Sequence, residues 1–364
     1  MRKQLPKRLA GAISAGLLLF IGSLSLSAEI RWIEKNHDFG LMKEILGPQT
    51  GVSRFVNTGP EPISVIDARP SCGCTGVEFP ETETAPGDTL SIAYTYDPAG
   101  RPGRFEKSIK VWLSDGTEHV IIIRGNVLGA PESLDLFYPV KAGPLRLSDS
   151  VIMAGNVTDT HTPGYFIKAY NQTTDTIAPV ATSESKALRI ECSQQKLGPG
   201  DLATFVVYFK AGALGEYGPV EIPITFRADC SRPEAGSVTV PLRATVLPAA
   251  KPLSGKELTA APRCFPAPDP VDLGIIGRDE AQPVGFAVLN DGGSPLKIKK
   301  IYSERVAVKC SRLPKEIKPG KSVRISLELD TRDLPSGPFR IPVKIISDDP
   351  VTPVKEIAIA GELQ

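Results

Sequence analysis

"FEKSIKVWLSDGTEHVIIIRGNV", residues 105–127, is the stretch that decides the fold class. Apolar and polar side chains alternate on both sides of Asp115-Gly116, and an Asp-Gly pair between two such runs is a strong hairpin signal. The chain also has 33 glycines and 34 prolines, which are spread along its length rather than massed in one linker. The sequence therefore predicts an all-β protein made of many short strands and turns.

Landmarks of this unit recur along the chain at a spacing of about 113 to 120 residues. Such a period indicates an internal repeat. The recurring landmarks are a strand-ending glycine (Gly40, Gly155, Gly274), a strand-ending asparagine (Asn57, Asn171, Asn290) and a Pro-Gly turn (Pro86-Gly87, Pro199-Gly200, Pro319-Gly320). Since all recur in the same order, the sequence predicts three copies of one design.

Each copy has the length of an immunoglobulin-like β-sandwich, which needs about 100 residues and seven or so strands. We therefore predict three tandem domains at residues 29–129, 144–248 and 269–364. The Pro-rich and Ala-rich segments 130–143 and 249–268 are predicted to be linkers. The Cys…Trp…Cys core of antibody domains is absent, so the likeness concerns architecture.

The N-terminus has the composition of a secretory signal. Four basic residues (Arg2, Lys3, Lys7 and Arg8) precede an apolar run that ends in small residues near Ala28. We expect cleavage of a signal peptide at residues 1–28, export to the periplasm or surface of a Gram-negative bacterium, and no membrane span afterwards. An uncleaved N-terminal anchor is the alternative. The chain has 42 Lys+Arg and 41 Asp+Glu in total. Cleavage removes the four basic residues and no acidic ones, so the mature protein would carry a net charge of 38 − 41 = −3. This mixed charge argues against nucleic-acid and polybasic membrane binding.

The first copy contains a set of short motifs: "DFG" (38–40), "FVNTG" (55–59), "SCGCT" (71–75), "APGD" (85–88), "YDPAGRPGRFEKSIKV" (96–111) and "IIIRGNV" (121–127). These motifs resemble the domain-of-unknown-function 1573 family, which is abundant in secreted and envelope proteins of the Bacteroidetes. The third copy is similar through "LNDGGSPLKIKKI" (289–301) and "SDDPVTPVKEIAIAGEL" (347–363), whereas the second departs most. The resemblance implies a sandwich related to Hydin and abnormal-spindle domains and an exported protein. It implies little about activity, because the family has none assigned.

Six cysteines would meet an oxidising compartment after export, which makes disulfides the default interpretation. Cys192 and Cys310 occupy matching places before the Pro-Gly turns of the second and third copies. The most local pairing is Cys192–Cys230 and Cys264–Cys310, one bridge in each copy, and other connectivities stay open.

Cys72 and Cys74 lie one residue apart in "RPSCGCTG", residues 69–76. The favoured interpretation is a structural clip in a loop, packed against the end of the sandwich, and a local disulfide is one form that such a clip can take. The alternatives are a thiol–disulfide site, a soft-metal site for Cu(I) or Zn, or a link to another chain. Two sulfur ligands do not complete a zinc site, so Cys72 and Cys74 are only weak metal candidates.

No residue group in the sequence has the setting of a catalytic site, and we expect neither enzyme activity nor a cofactor. Asp97, Arg101 and Arg104 cluster in a loop, which we interpret as an ion-paired surface loop. The leading hypothesis is a non-catalytic envelope or surface protein that binds an unidentified protein or glycan, or acts as a scaffold. A periplasmic thiol-redox or copper-handling factor using Cys72 and Cys74 is second, and a glycan-processing enzyme is last.

Overall fold

The computed structural model describes residues 30–229, 236–279, 281–310 and 312–364. Within these ranges the chain is all-β, as predicted, and its strands form six sheets. The sheets occur two at a time along the chain, as a first sheet pair (residues 30–128), a second (140–247) and a third (264–363). The predicted signal peptide, residues 1–28, lies outside the described residues.

The first sheet pair contains β1 Ile30–Glu34, β2 His37–Lys43, β3 Gln49–Asn57, β4 Val65–Pro70, β5 Thr75–Glu78, β6 Thr89–Tyr96, β7 Gly103–Leu113 and β8 Glu118–Leu128. Its sheets have the strand orders β1-β3-β6-β5 and β2-β8-β7-β4. The hairpin predicted over 105–127 is therefore confirmed as β7 and β8, which Asp115-Gly116 connects. Asp115 stabilises this turn, because its carboxylate accepts the Thr117 backbone N–H at 2.9 Å.

The second sheet pair contains β9 Val140–Ala142, β10 Leu145–Leu147, β11 Ile152–Thr158, β12 Gly164–Asn171, β13 Ala178–Thr182, β14 Leu188–Cys192, β15 Leu202–Phe209, β16 Gly218–Asp229 and β17 Ser237–Leu247. Their orders are β14-β15-β12-β10-β9 and β11-β17-β16-β13. The helix α1, Pro131–Phe137, precedes them. The segment predicted as the linker 130–143 is thus folded, since it contains α1 and the edge strand β9.

The third sheet pair contains β18 Cys264–Ala267, β19 Val271–Ile276, β20 Gln282–Asn290, β21 Ile298–Tyr302, β22 Val308–Cys310, β23 Ser322–Leu329, β24 Gly337–Ser347 and β25 Val354–Leu363. Their orders, β18-β20-β23-β22 and β19-β25-β24-β21, match those of the first sheet pair strand for strand. The helix α2, Gly255–Ala260, and β18 lie within the predicted linker 249–268. Two short 3-10 helices, Glu44–Leu46 and Ala211–Leu214, complete the elements.

The described residues form two compact units. The first comprises 30–38, 49–96 and 107–123, and the second comprises 39–48, 97–106 and the rest of the described chain from residue 124. In the first unit the alternating strands bury residues such as Phe55, Ile92 and Val111. In the second unit the second and third sheet pairs each have their own apolar cluster, centred on residues such as Phe205 and Phe286. Burial of one face of each sheet accounts for the period-two pattern in the sequence.

One glycine recurs within β2, β11 and β19, and its backbone conformation explains why this residue is glycine. Gly40, Gly155 and Gly274 have φ values of +65°, +63° and +63°, a region that side chains with a Cβ disfavour. At Gly155 the pairing of β11 with β17 shifts register, as in a β-bulge. The pairing of β19 with β25 shifts register around Gly274 in the same way. In β11 and β19 the recurring glycine therefore lies at a bulge.

Strands β8, β17 and β25 have one equivalent position at which the backbone N–H is either bonded by a side chain or absent. The Ile122 N–H donates to Asn36 Oδ1 at 3.0 Å, and the Ala358 N–H donates to Asp269 Oδ1 at 2.9 Å. The second copy has Pro241 here, which has no N–H to satisfy. The same requirement is met by a side-chain acceptor in two copies and by removal of the donor in one.

A fully buried asparagine ends the equivalent strand in every sheet pair: Asn57, Asn171 and Asn290 each have 0% of their surface exposed. Asn171 Nδ2 donates to Asp175 O at 2.7 Å and to Leu197 O at 3.0 Å, and its Oδ1 accepts the Thr173 N–H at 2.9 Å. Its backbone carbonyl accepts the Gly200 N–H at 3.0 Å. One side chain thus holds together the turn after its strand and the Pro-Gly turn.

The other two asparagines repeat this arrangement. Asn57 Nδ2 donates to the carbonyls of Glu61 and Thr84, and Oδ1 accepts the Gly59 N–H. Asn290 Nδ2 donates to the carbonyls of Ser294 and Ile317, and Oδ1 accepts the Gly292 N–H. We conclude that the asparagine recurring in the sequence is the structural centre of each copy. We call this arrangement the asparagine clamp.

Replacing Asn171 by Ala should destabilise the protein by about 1–3 kcal/mol. The partly buried Asp175 carbonyl and Thr173 N–H lose the side chain as their partner, and the buried Leu197 carbonyl keeps only the Ile177 N–H. The measurement is the free energy of unfolding in urea. Asn156→Ala is the matched control, since Asn156 is exposed on β11 of the same sheet pair. Equal stability of the two variants would contradict the role of the clamp.

Candidate functional site

The loop with Cys72 and Cys74 crosses from one sheet of the first sheet pair to the other. It begins after β4 and ends at Thr75, the first residue of β5. The Ser71 N–H donates to Ser108 O at 2.8 Å, which anchors the start of the loop to β7. A disulfide joins Cys72 to Cys74, with their Cα atoms 5.3 Å apart. This bond fits a local clip and a thiol–disulfide site alike, so the role of the two cysteines stays a prediction.

The surroundings of this disulfide are half-buried. Cys74 is 5% exposed, whereas Cys72 is partly accessible. The Thr75 hydroxyl lies 3.7 Å from Cys72 Sγ and 3.9 Å from Cys74 Sγ. In the disulfide neither sulfur is a thiolate, so metal binding at this loop would first require reduction. In the chain-entropy model so short a loop contributes only roughly 1–2 kcal/mol to stability.

The predicted bridge between Cys264 and Cys310 is wrong, because both are free thiols. Cys264 is on β18 and Cys310 is on β22, at opposite edges of one four-stranded sheet. Three strand spacings separate these edges by roughly 14 Å, whereas a disulfide needs Cα atoms within about 7 Å. Burial raises the pKa of the Cys264 thiol to about 11, so this cysteine is a small apolar core residue.

The predicted bridge between Cys192 and Cys230 stays a prediction, because Cys230 lies outside the described residues. Cys192 forms no disulfide with any residue in the described ranges. It ends β14 and is half-buried against the apolar cluster of the second sheet pair. Burial raises the pKa of its thiol as well.

A second candidate site lies where the chain passes from β8 to the second sheet pair. All its residues belong to the second unit. Glu44 is only 9% exposed, and its carboxylate accepts hydrogen bonds from three groups. These are the backbone N–H groups of Gly100 at 2.7 Å and Ala130 at 2.8 Å, and the hydroxyl of Ser133 on α1. The start of α1 is thereby fixed to the 3-10 helix Glu44–Leu46.

Asp201 is the second buried carboxylate of this junction, with 6% exposure. It accepts a two-pronged bond from Arg104, at 2.8 and 3.1 Å, and one from Asn126 Nδ2 at 2.9 Å. The Gly198 N–H donates to it at 3.0 Å. Burial alone raises the pKa of Asp201, but the Arg104, Gly198 and Asn126 hydrogen bonds outweigh it and hold this pKa below its ordinary value.

Aromatic packing completes the junction. Tyr170 is fully buried, and its ring stacks on Tyr138 with centroids 5.2 Å apart. Its hydroxyl donates to Val127 O at 2.9 Å and accepts the Gly129 N–H at 2.8 Å. Burial is the main cause that raises the pKa of Tyr170 to about 12, so the hydroxyl keeps its proton at neutral pH. We call the groups around Glu44, Asp201 and Tyr170 the 44–201 junction.

Sequence reasoning missed this junction. It predicted an ion-paired surface loop of Asp97, Arg101 and Arg104, but Arg104 lies on β7 and its partner is Asp201 rather than Asp97. Arg101, by contrast, bonds the backbone carbonyls of Asp97 and Ala99. One sequence signal could have drawn attention to Asp201. It directly follows the recurring Pro-Gly turn in "GPGD", residues 198–201.

Two further features bear on the site hypotheses. Across the described ranges, no three His, Cys, Asp or Glu side chains are grouped so that they could hold a metal ion. The helices in the part of the chain that the structure describes are too short or too polar to cross a bilayer.

Comparison with known families bears on the first sheet pair. Residues 30–127 match the model of the family described as "Protein of unknown function (DUF1573)". The first sheet pair is thus similar to this family, and the resemblance in its motifs is confirmed. The family carries no assigned activity, and the chain matches no curated protein.

Solved structures resemble the chain only distantly. A protein of unknown function from Porphyromonas gingivalis W83 is 16% identical, with a TM-score of 0.44, over 61% of this chain and 100% of its own. The secreted serine protease VesC from Vibrio cholerae is 12% identical (TM-score 0.28), over 51% of this chain and 47% of its own. The E. coli chaperone DraB is 13% identical (TM-score 0.23), over 59% of this chain and 96% of its own. Proteins this distant and this varied do not indicate a function.

Replacing Asp201 by Asn should lower stability at neutral pH by about 1–3 kcal/mol, because the charge-assisted bonds to Arg104 are lost. The folded pKa of Asp201 lies below its unfolded value, so its contribution is complete above about pH 4 and is lost as the pH falls through the folded pKa. Urea unfolding of the wild type and Asp201→Asn between pH 7 and pH 3 should therefore show a difference that shrinks with acidity. Asp229→Asn is the control at an exposed position, and its stability should differ little from that of the wild type. If the stability difference between Asp201→Asn and the wild type did not change with pH, the ion pair would not be its cause.

Proposed function

We propose that this protein is a non-catalytic component of a bacterial cell envelope. It is exported by residues 1–28, and three immunoglobulin-like domains at 29–129, 144–248 and 269–364 follow. The domains act as a scaffold that presents loops and strand edges to a protein or glycan partner. The DUF1573 match and the all-β sheets support the coarser part of this proposal.

The observation that carries the scaffold role is the 44–201 junction. Two buried carboxylates and a stacked tyrosine pair connect the end of β8 to the second sheet pair. Buried carboxylates are costly unless all their bonds are made, so such a junction favours one arrangement over many. A scaffold needs this property, because the loops and strand edges that it presents within the second unit must keep fixed positions.

The exported location is supported by the Cys72–Cys74 disulfide. Disulfides persist in oxidising compartments such as the periplasm and the cell surface, and they are rare in the cytosol. The signal-like residues 1–28 point to the same compartment.

A thiol-redox or copper-handling factor is the second candidate function. The observation that favours it is a disulfide between cysteines one residue apart, one of which is partly accessible. In this alternative an incoming dithiol would reduce the Cys72–Cys74 bond and itself become a disulfide. The two released thiolates would suit Cu(I).

One experiment separates these functions and tests export. The full chain, with its own N-terminal residues, is produced in a Gram-negative host, and the envelope fraction is analysed by intact mass. We expect a mass that corresponds to the chain without residues 1–28. We also expect the Cys72–Cys74 bond to be present in this protein. The recovered protein is then assayed for dithiol-dependent insulin reduction and titrated with Cu(I), beside Cys72→Ser/Cys74→Ser and the control Cys192→Ser.

The scaffold proposal predicts that the wild type and both variants behave alike, without turnover and without stoichiometric Cu(I) binding. One equivalent of tightly held Cu(I), or insulin reduction, that disappears only in Cys72→Ser/Cys74→Ser would replace the scaffold by the second candidate. Full-length protein confined to the cytosol would contradict export.

A further inference from the structure

Strand β12 has an edge at its first residues that β10 does not cover. The N–H of Phe209 donates to Pro163 O and the N–H of Asn171 donates to Asp201 O, each at 3.0 Å. These bonds show that the odd-numbered residues of β12 direct their backbone N–H and C=O groups toward β15, since antiparallel bonding alternates along a strand. Even-numbered residues face the other side, toward β10.

On that other side β10 pairs only with residues 169–171 of β12. The next even-numbered residue, Lys168, exchanges bonds of 3.0 Å with Ser148, after which the chain leaves for β11. Gly164 and Phe166 therefore direct their N–H and C=O groups away from β15, and the described residues offer them no partner strand. Such an edge is a template for pairing with another chain.

An exposed apolar side chain accompanies this edge. Phe166 is 69% exposed in the middle of a strand. Its neighbour Tyr165 points toward the other sheet, because the Tyr165 hydroxyl donates to Ala154 O on β11 at 3.0 Å. Since successive strand residues point to opposite faces, the Phe166 ring lies on the outer face of its sheet, where a strand that pairs with this edge can contact it.

The edge is complementary to itself. If two copies pair antiparallel about a twofold axis at Tyr165, Gly164 of each copy faces Phe166 of the partner subunit. All four N–H and C=O groups on each edge then find partners. Gly164 has no side chain, so the ring of the partner's Phe166 can lie over it, against Tyr208, which already flanks Gly164.

We propose that residues 164–166 form the interface through which this protein pairs with a second copy of itself, strand against strand. The interface is isologous, because the same three residues are used by both copies. It is small, so the dimer is reversible and forms at high local concentration, as on a crowded envelope.

The equivalent edges of the other two sheet pairs do not fit this role. In the third, Pro283 stands where the second has Gly164, and it has no N–H to donate. Gly285 of the third sheet pair stands where the second has the exposed Phe166. In the first, Thr50 and Val52 both carry branched side chains, which leave no open space opposite an aromatic ring. Self-pairing is therefore specific to the second sheet pair.

The test is analytical ultracentrifugation of the exported full chain. The average mass of the wild type should rise from one toward two copies between ~10 µM and ~1 mM. Gly164→Pro should weaken association at least ~10-fold, because each copy loses a donor. It should fold, since Pro283 occupies the equivalent place in β20 and a Cβ at Gly164 would make only ordinary contacts. Phe166→Ser, which alters an exposed side chain alone, should weaken association similarly.

Thr50→Pro is the matched control, because it changes the equivalent edge of the first sheet pair and should leave the average mass as in the wild type. Melting temperatures establish that each variant is folded. A wild type that stays monomeric at ~1 mM would overturn the proposal, as would a dimer that resists both Gly164→Pro and Phe166→Ser. Binding of an extended peptide by a protein that stays monomeric would overturn it too.

Discussion

The asparagine clamp is the constraint on which each copy depends. Where a strand of one sheet ends, the chain must turn toward the other sheet, and the turn leaves backbone groups inside the protein. A carboxamide can donate two bonds and accept others, so one side chain satisfies both neighbouring turns. Asn57, Asn171 and Asn290 share three equivalent side-chain bonds, of which the one to the carbonyl four residues later is an example. The requirement is for an amide of this length, which explains why asparagine recurs although the surrounding sequence diverges.

Backbone requirements of the same kind explain the other recurring features. A positive φ selects glycine within β2, β11 and β19. The N–H at the equivalent positions of β8 and β25 selects an acceptor side chain, and β17 has a proline at this position. In contrast, apolar core positions accept many residues of similar volume. The repeat is therefore visible in turns and bulges more clearly than in the core.

The sequence was sufficient to predict the all-β class, the hairpin at Asp115-Gly116 and the recurring asparagine, because each depends on residues close together in the chain. The Cys264–Cys310 prediction failed because proximity in sequence says little about position across a sheet, and β18 and β22 lie at opposite edges. The Arg104–Asp201 pair was out of reach for a related reason, since 97 residues separate its members. Polar groups at the 44–201 junction follow no periodic pattern, and only the folded arrangement shows that they are buried.

Hydrogen exchange of the amides held by the asparagine clamp tests the central claim most directly. These are the amides of Gly59, Thr173 and Gly292, which donate to the asparagine side chains, and of Gly87, Gly200 and Gly320, which donate to the asparagine carbonyls. They lie in turns, where exchange is ordinarily fast, yet we expect them to exchange as slowly as the central strands β6, β15 and β23. Exchange at the rate of exposed loop amides would contradict the claim that the clamp holds each copy together.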